Sequence, residues 1–205
     1  ASAEELLRAA GRGLVPLLAD PCCSSLGEIA PAILVDAIIA KRNLGTAIIM
    51  APIVVALGPG FAAGVDAHAV VETNRGHDLG RVLTSGRAEP DSGVPGTIGG
   101  FGAERVVHAP RAGRVEARRR IGDVVEAGDC LLDLVGATDR AEVRAPIRGV
   151  LRGLIRPGTE VPEGLKLADV DPRCRREHCF SVSDKARAIA GGVLEAVMAL
   201  GGRPS

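Results

Sequence analysis

With 205 residues the chain has room for one large domain or two small ones. Its 25 basic and 25 acidic side chains balance, so no overall field draws it onto nucleic acid or an anionic membrane. Trp and Tyr are absent and only Phe61, Phe101 and Phe180 supply rings, which leaves almost no platform for base stacking. The odd cysteine set Cys22, Cys23, Cys130, Cys174 and Cys179 does not resemble a secreted disulfide framework. No apolar run reaches membrane-spanning length, because the longest, residues 47–57, contains Pro52. The acidic, amphipathic start lacks a signal-peptide pattern, and a reducing cytoplasm is the expected location.

In chain order, Ala3 to Arg12 reads as a surface helix and GLVPLLADP as a short buried strand ended by Pro21. ILVDAIIAKRN and IIMAPIVVALGPGF are β-branched runs that stop abruptly at polar or glycine-rich residues, the pattern of buried strands entering functional loops. From Val65 the alternation V-D-A-H-A-V-V-E-T predicts a strand with Asp66, His68 and Glu72 on one face. GRVLTSGRAEP predicts a further strand, and Pro90 to Gly102 a linker.

Beyond that linker the sequence repeats. Ala109-Pro110-x-x-Gly113 recurs as Ala145-Pro146-x-x-Gly149, and Gly122, Val125, Gly128 and Leu131 recur as Gly158, Val161, Gly164 and Leu167, each pair 36 residues apart. Short strands punctuated by glycine turns in two related halves must pack together to bury their apolar faces. The pattern resembles the barrel-sandwich hybrid of biotinyl and lipoyl domains. Such domains carry a modified lysine on the hairpin between their halves, but here Arg140 stands at that place, and Lys166, the nearest lysine, falls in the glycine turn of the second half. A guanidinium cannot form the amide, so no lipoyl or biotinyl group is expected.

Three polar clusters interrupt apolar runs. The first is Asp36 with Lys41, Arg42 and Asn43. The second joins the loop Gly58-Pro59-Gly60-Phe61 to Asp66, His68 and the run Glu72, Thr73, Asn74, Arg75, Gly76 and His77. The third, Ser183, Asp184, Lys185 and Arg187, opens a C-terminal helix, for which Ser183 or Asp184 is a natural cap. The glycine loop matches neither the dinucleotide fingerprint nor the P-loop, so a tight turn explains it as well as a phosphate does. Asp66, His68, Glu72 and His77 are ligand types that suit a divalent metal, with Glu72 or His77 available as acid or base; an ion-pair network with Arg75 is the structural alternative. Glu72→Ala is expected to melt near the parent. Cys174 and Cys179 with His178 between them invite comparison with a zinc site, although ordinary knuckles space their ligands more closely.

The blocks VDAIIAKRNLGT, APIVVALGPGFAAGVDAHAVVETNRGHDLGRV, GVPGTIGGFGAERVVHAP and CFSVSDKARAIAGGVLEAV together resemble the accessory protein family of selenium-dependent molybdenum hydroxylases, from about Pro16 onward. The resemblance implies help with cofactor maturation or insertion, a molybdenum hydroxylase or its loading machinery as partner, and a further N-terminal segment of glycine-rich, nucleotide-binding character. On that last point, either this stretch is a fragment or this member is short. It places the ligand site at Asp36, Lys41, Arg42, Asn43, Glu72, Thr73, Asn74, Arg75 and His77, to which the turn glycines Gly58 and Gly60 add themselves. No catalytic residue is assigned.

The expected architecture is an α/β domain over residues 1–97, a barrel-sandwich module over 98–171 and a C-terminal segment over 172–205 whose helix packs back on the body. The expected function is that of a maturation protein, with an enzyme acting on a phosphorylated or sulfur-bearing cofactor precursor and a structural scaffold as alternatives. Homo-oligomerisation stays open.

Overall fold

The computed structural model describes residues 2–202. They divide into two compact units, Ala1–Asp91 with Asp184–Ser205 and Ser92–Ser183.

The first unit opens with α1 (Ala3–Gly11), started by a capping box in which the Ser2 hydroxyl accepts from Glu5 N–H and the Glu5 carboxylate accepts from Ser2 N–H. A single turn, α2 (Leu26–Ile29), follows. The intervening residues form no strand: Val15 and Leu17 are 96% and 95% exposed, which corrects the buried strand read into GLVPLLADP. Their apolar character has no strand partner among the described residues, and Pro16 removes a donor.

The body of this unit is a four-stranded sheet of order β1-β2-β4-β5, built from β1 (Ile33–Asp36), β2 (Ile53–Leu57), β4 (Ala69–Val71) and β5 (Val82–Leu83). β1, β2 and β4 run parallel and β5 antiparallel. A central parallel strand is buried on both faces, which is why β2 reads as an unbroken aliphatic run. Val54 and Ala56 join Val70, Phe61, Ala63 and Ala88 on one side. Val55 and Leu57 join Ala69, Val71 and the long α3 (Asp184–Gly201) on the other. Close approach of α3 depends on small residues: a Cβ at Gly192 would overlap the Gly80 carbonyl and come within 2.8 Å of Val71. A small ribbon of β3 (Ala62–Ala63) with β6 (Gly86–Arg87) completes the unit.

The alternating stretch from Val65 is a strand only over Ala69–Val71, all three residues buried. Asp66 lies in a preceding turn, where its carboxylate accepts from Ala62 N–H at 2.7 Å. GRVLTSGRAEP divides into β5 and β6, broken at Thr84-Ser85.

The second unit is antiparallel. One sheet has the order β11-β10-β8-β13, from β8 (Gly113–Ala117), β10 (Cys130–Val135), β11 (Arg140–Arg144) and β13 (Glu160–Val161); the other has the order β7-β14-β12-β9, from β7 (Val106–His108), β9 (Val124–Val125), β12 (Gly149–Leu154) and β14 (Lys166–Asp171). Adding 36 to the residue numbers of β7, β8, β9 and β10 lands on β11, β12, β13 and β14, so the repeat converts one sheet order into the other. The backbone hydrogen bonds obey the same exchange. Gly122 N–H donates to Leu151 O and Gly158 N–H to Val115 O; Ala145 N–H donates to Asp129 O and Ala109 N–H to Leu165 O, all at 2.8 Å. Leu131, Leu132, Leu134, Leu151, Leu167 and Val170 fill the core between the halves.

The hairpin between the halves does not hold a free arm. Arg140 pairs in register with Val135, and its guanidinium bonds Asp133 at 3.1 Å and Glu116 at 2.8 Å. Lys166 is the first residue of β14, beyond the turn the repeat assigned it, and bonds Asp169 at 3.3 Å.

Candidate functional site

In a parallel sheet all the strand ends of one sense lie along one edge, and the loops that leave them meet there. In the first unit β1 ends at Asp36, β2 at Leu57 before Gly58-Pro59-Gly60, and β4 at Val71 before Glu72. The three exits are packed into one another. Gly60, at φ +103°, lies so close to the backbone of Arg42 that a Cβ would overlap it, and Gly58, at φ +78°, lies as close to the Thr73 side chain. These two glycines are required by close approach as well as by the turn.

Each loop is organised by an acidic or amide side chain that the sequence marked as a ligand residue. Asp36 is buried; one carboxylate oxygen accepts from Ile38 N–H at 3.1 Å and the other from the Thr46 hydroxyl at 2.6 Å. Asn43 closes the same loop by accepting from Gly45 and Thr46 N–H at 2.8 Å and donating to Thr46 O. Glu72, 4% exposed, accepts from Thr73 and Asn74 N–H with one oxygen and from Glu89 N–H with the other, all at 2.7 Å. Its carboxylate is committed to the backbone, which corrects the expectation that Glu72→Ala leaves the fold unaffected.

The cations are more available. Lys41 pairs with Asp91 at 2.7 Å and Arg75 with Asp184 at 3.4 Å, both across exposed surface. The second pair joins the Glu72 loop to the start of α3, so the third polar cluster arrives at the same edge as the other two. Lys185, half-buried, has its ammonium pKa pushed down by desolvation, then by Arg75, with Lys41 adding to it and Glu72 and Asp91 opposing. Lys185 and Arg42 make no side-chain hydrogen bond or ion pair among the described residues. Sequence reading left Lys185 out of the ligand set because a helix start explains a polar cluster by itself. It also placed Glu89 and Asp91 at or before a linker; nothing in their local pattern marks them, since their partners are Asn74, Glu72 and Lys41.

The proposed metal ligands do not gather. His68 sits at the entrance to β4, where its Nδ1 accepts from Val54 N–H at 3.0 Å, whereas Glu72 and His77 follow the exit of that strand. Four residues of extended chain separate His68 from Glu72, about 13 Å at the strand rise. Cys174, His178 and Cys179 do not come together as a ligand set either. Among the described residues the one gathering of three such groups is Cys130, Asp133 and Glu142. There Asp133 is held by Arg118 at 2.6 Å and by Arg140, and Glu142 by Arg144. Burial pushes the Cys130 and Cys179 thiols up, which makes both poor nucleophiles. A groove of about 530 Å³ in the second unit is walled by Arg118, Arg119 and Ile121 against Leu154 and Pro157, but Arg118 and Arg119 are already paired with Asp133 and Asp129.

No family model matches the chain. Over 199 residues, 97% of its length, it is 49% identical to YqeB of Escherichia coli (strain K12), an uncharacterised protein. The chain is a homologue of YqeB. It spans 36% of the length of that relative. Among solved structures, a succinylglutamate desuccinylase/aspartoacylase from Rhodobacter sphaeroides is similar over 33% of this chain and 22% of its own, with 26% identity and a TM-score of 0.31. The ectoine utilization protein EutE (DoeB) from Ruegeria pomeroyi is similar over 43% of this chain and 27% of its own, with 21% identity and a TM-score of 0.32. No helix among the described residues is long and apolar enough to cross a membrane.

Proposed function

We propose that the chain is part of an accessory protein for maturation or cofactor insertion in a selenium-dependent molybdenum hydroxylase, and that its first unit binds a small ligand at the carboxyl edge of the parallel sheet. One observation supports this reading above the others. Three of the four sequence blocks that carry the resemblance to that accessory family also build the edge: VDAIIAKRNLGT forms the loop after β1, the block from Ala51 to Val82 supplies β2, the Gly58 turn and the Glu72 to His77 loop, and CFSVSDKARA leads into α3. A scaffold would need no such coincidence of matched residues with Arg42 and Lys185, cations that make no ion pair among the described residues.

On the same reading the second unit is a barrel-sandwich hybrid used for packing or partner contact. The paired Arg140 gives no amine for a swinging arm. Mass spectrometry of protein from cells that make lipoate and biotin is expected to show no added mass at Arg140 or Lys166.

The functional test is co-purification of the full-length protein with a tagged hydroxylase, with molybdenum and activity measured in the partner. Arg75→Ala in the full-length protein is expected to fold normally and leave the partner deficient in active cofactor. Full partner activity with Arg75→Ala and Lys185→Ala combined would remove this site from the function.

A further inference from the structure

The loop after β1 carries a feature that its hydrogen bonds do not require. Ile39 and Lys41 adopt left-handed conformations, φ +58° and +62°, whereas Ala40 and Arg42 between and after them do not. Left-handed geometry at a β-branched residue is strained, persists only where the surrounding structure holds it, and clusters at ligand sites. A left-handed residue that alternates with residues of negative φ can turn successive backbone N–H groups toward one side and make a concavity that suits an anion. Among the described residues none of the amides from Ile39 to Asn43 donates a hydrogen bond. The Gly60 turn backs this segment directly at Arg42.

We propose that the Ile39 to Asn43 amides, with the side chains of Arg42, Arg75 and Lys185, bind a tetrahedral oxyanion of the phosphate type, carried as the terminal group of a phosphorylated small molecule. This rests on the reading of the carboxyl edge as a ligand site and gives that site its ligand class. Asp36 and Glu72 do not compete for the position, and the oxyanion takes Arg75 from Asp184 across exposed surface. Asp36 and Glu72 accept from their own loops, Asp91 faces Lys41, and Asp184 faces Arg75. The oxyanion meets two kinds of donor, fixed amides that give shape and mobile cations that give charge. A monoanionic carboxylate uses fewer of these donors and is disfavoured.

The test is amide-resolved NMR titration of the intact chain with inorganic phosphate, with a phosphate monoester such as phenyl phosphate, and with acetate, all at matched ionic strength. Both phosphate probes are expected to shift the Ile39 to Asn43 amides, and Arg42→Gln with Lys185→Gln together to weaken binding about tenfold or more. Tighter binding of the ester assigns the natural ligand to a phosphorylated molecule, whereas equal or weaker binding of the ester overturns that part and leaves free phosphate. No shift at these amides, or shifts spread over the surface arginines and unchanged in the double variant, overturns the site. Ile39→Gly keeps the left-handed position without its strain and is expected to bind as the parent does, so lost binding there also counts against the proposal. These outcomes are independent of the hydroxylase assay. Failed phosphate binding with normal molybdenum loading removes the ligand class alone, and phosphate binding with no effect of the variants on loading removes the accessory role alone.

Discussion

Glu72 separates a residue that builds a site from one that works in it. Its two oxygens accept three backbone N–H groups from Thr73, Asn74 and Glu89 in a setting that is 4% exposed. Removing a buried acceptor leaves donors unpaired, so Glu72→Ala is expected to cost about 3 kcal/mol. Glu72→Gln, which keeps one acceptor oxygen, is expected to cost less, as thermal melts of the two will show. Equal melting of Glu72→Ala and parent would mean the loop does not depend on this carboxylate. Asp171 makes a pH-dependent counterpart in the second unit. Arg173 bonds both of its oxygens, at 2.9 and 2.7 Å, and holds its pKa at about 2, below the ordinary 3.8, against the opposing effect of burial. A depressed carboxyl pKa contributes stability above the unfolded value and loses it as pH falls through the folded one. The second unit is therefore expected to lose roughly 2 kcal/mol between about pH 4 and pH 2. Asp171→Asn is expected to flatten that part of the stability profile.

Among the elements, two glycine contacts set what can be changed. In α3 a side chain at Gly192 has the Gly80 carbonyl on one side and Val71 at 2.8 Å on the other. Helix propensity alone favours Ala over Gly by about 1 kcal/mol. Gly192→Ala is nonetheless expected to destabilise, by about 2 kcal/mol, because overpacking against backbone cannot relax. Gly191, whose Cβ position is open, supplies the control and is expected to gain stability on the same change. In the second unit the repeat-related Gly113 and Gly149 face equivalent neighbours at unequal distances. A Cβ at Gly113 would lie 3.1 Å from Val135 O, and one at Gly149 2.5 Å from Asp171 O with Val170 at 2.7 Å. Gly149→Ala is expected to cost more than Gly113→Ala in chemical denaturation, although the two positions are identical in the repeat.

For the molecule as a whole, residues 92–183 hold a core of their own, with Leu131, Leu132, Leu134 and Leu151 fully enclosed within it. Expressed alone, this stretch is expected to unfold in one cooperative transition, and a broad, non-cooperative melt would show that it depends on the other unit. The first unit is discontinuous in sequence, because its sheet needs α3 from the far end of the chain.

Local rules determined much of this. The offset of 36 residues, the glycine turns and the aliphatic runs of β1 and β2 are periodic or compositional signals, and a period in sequence becomes a symmetry in structure because equal segments bury equal faces. The three polar clusters were legible for the same reason, since charge that interrupts an apolar run is visible without coordinates. Their convergence was not. Whether Asp66 and His68 lie at the same end of a strand as Glu72 depends on where β4 starts, and pairing with β2 shortened it to three residues. That Lys185 stands beside Arg75, or that Asp91 answers Lys41, depends on contacts between residues as many as 110 positions apart, which no window of sequence contains. The left-handed pair at Ile39 and Lys41 lies furthest from local reading: propensity places a β-branched residue in extended structure, and only the packed turns around that loop hold it otherwise.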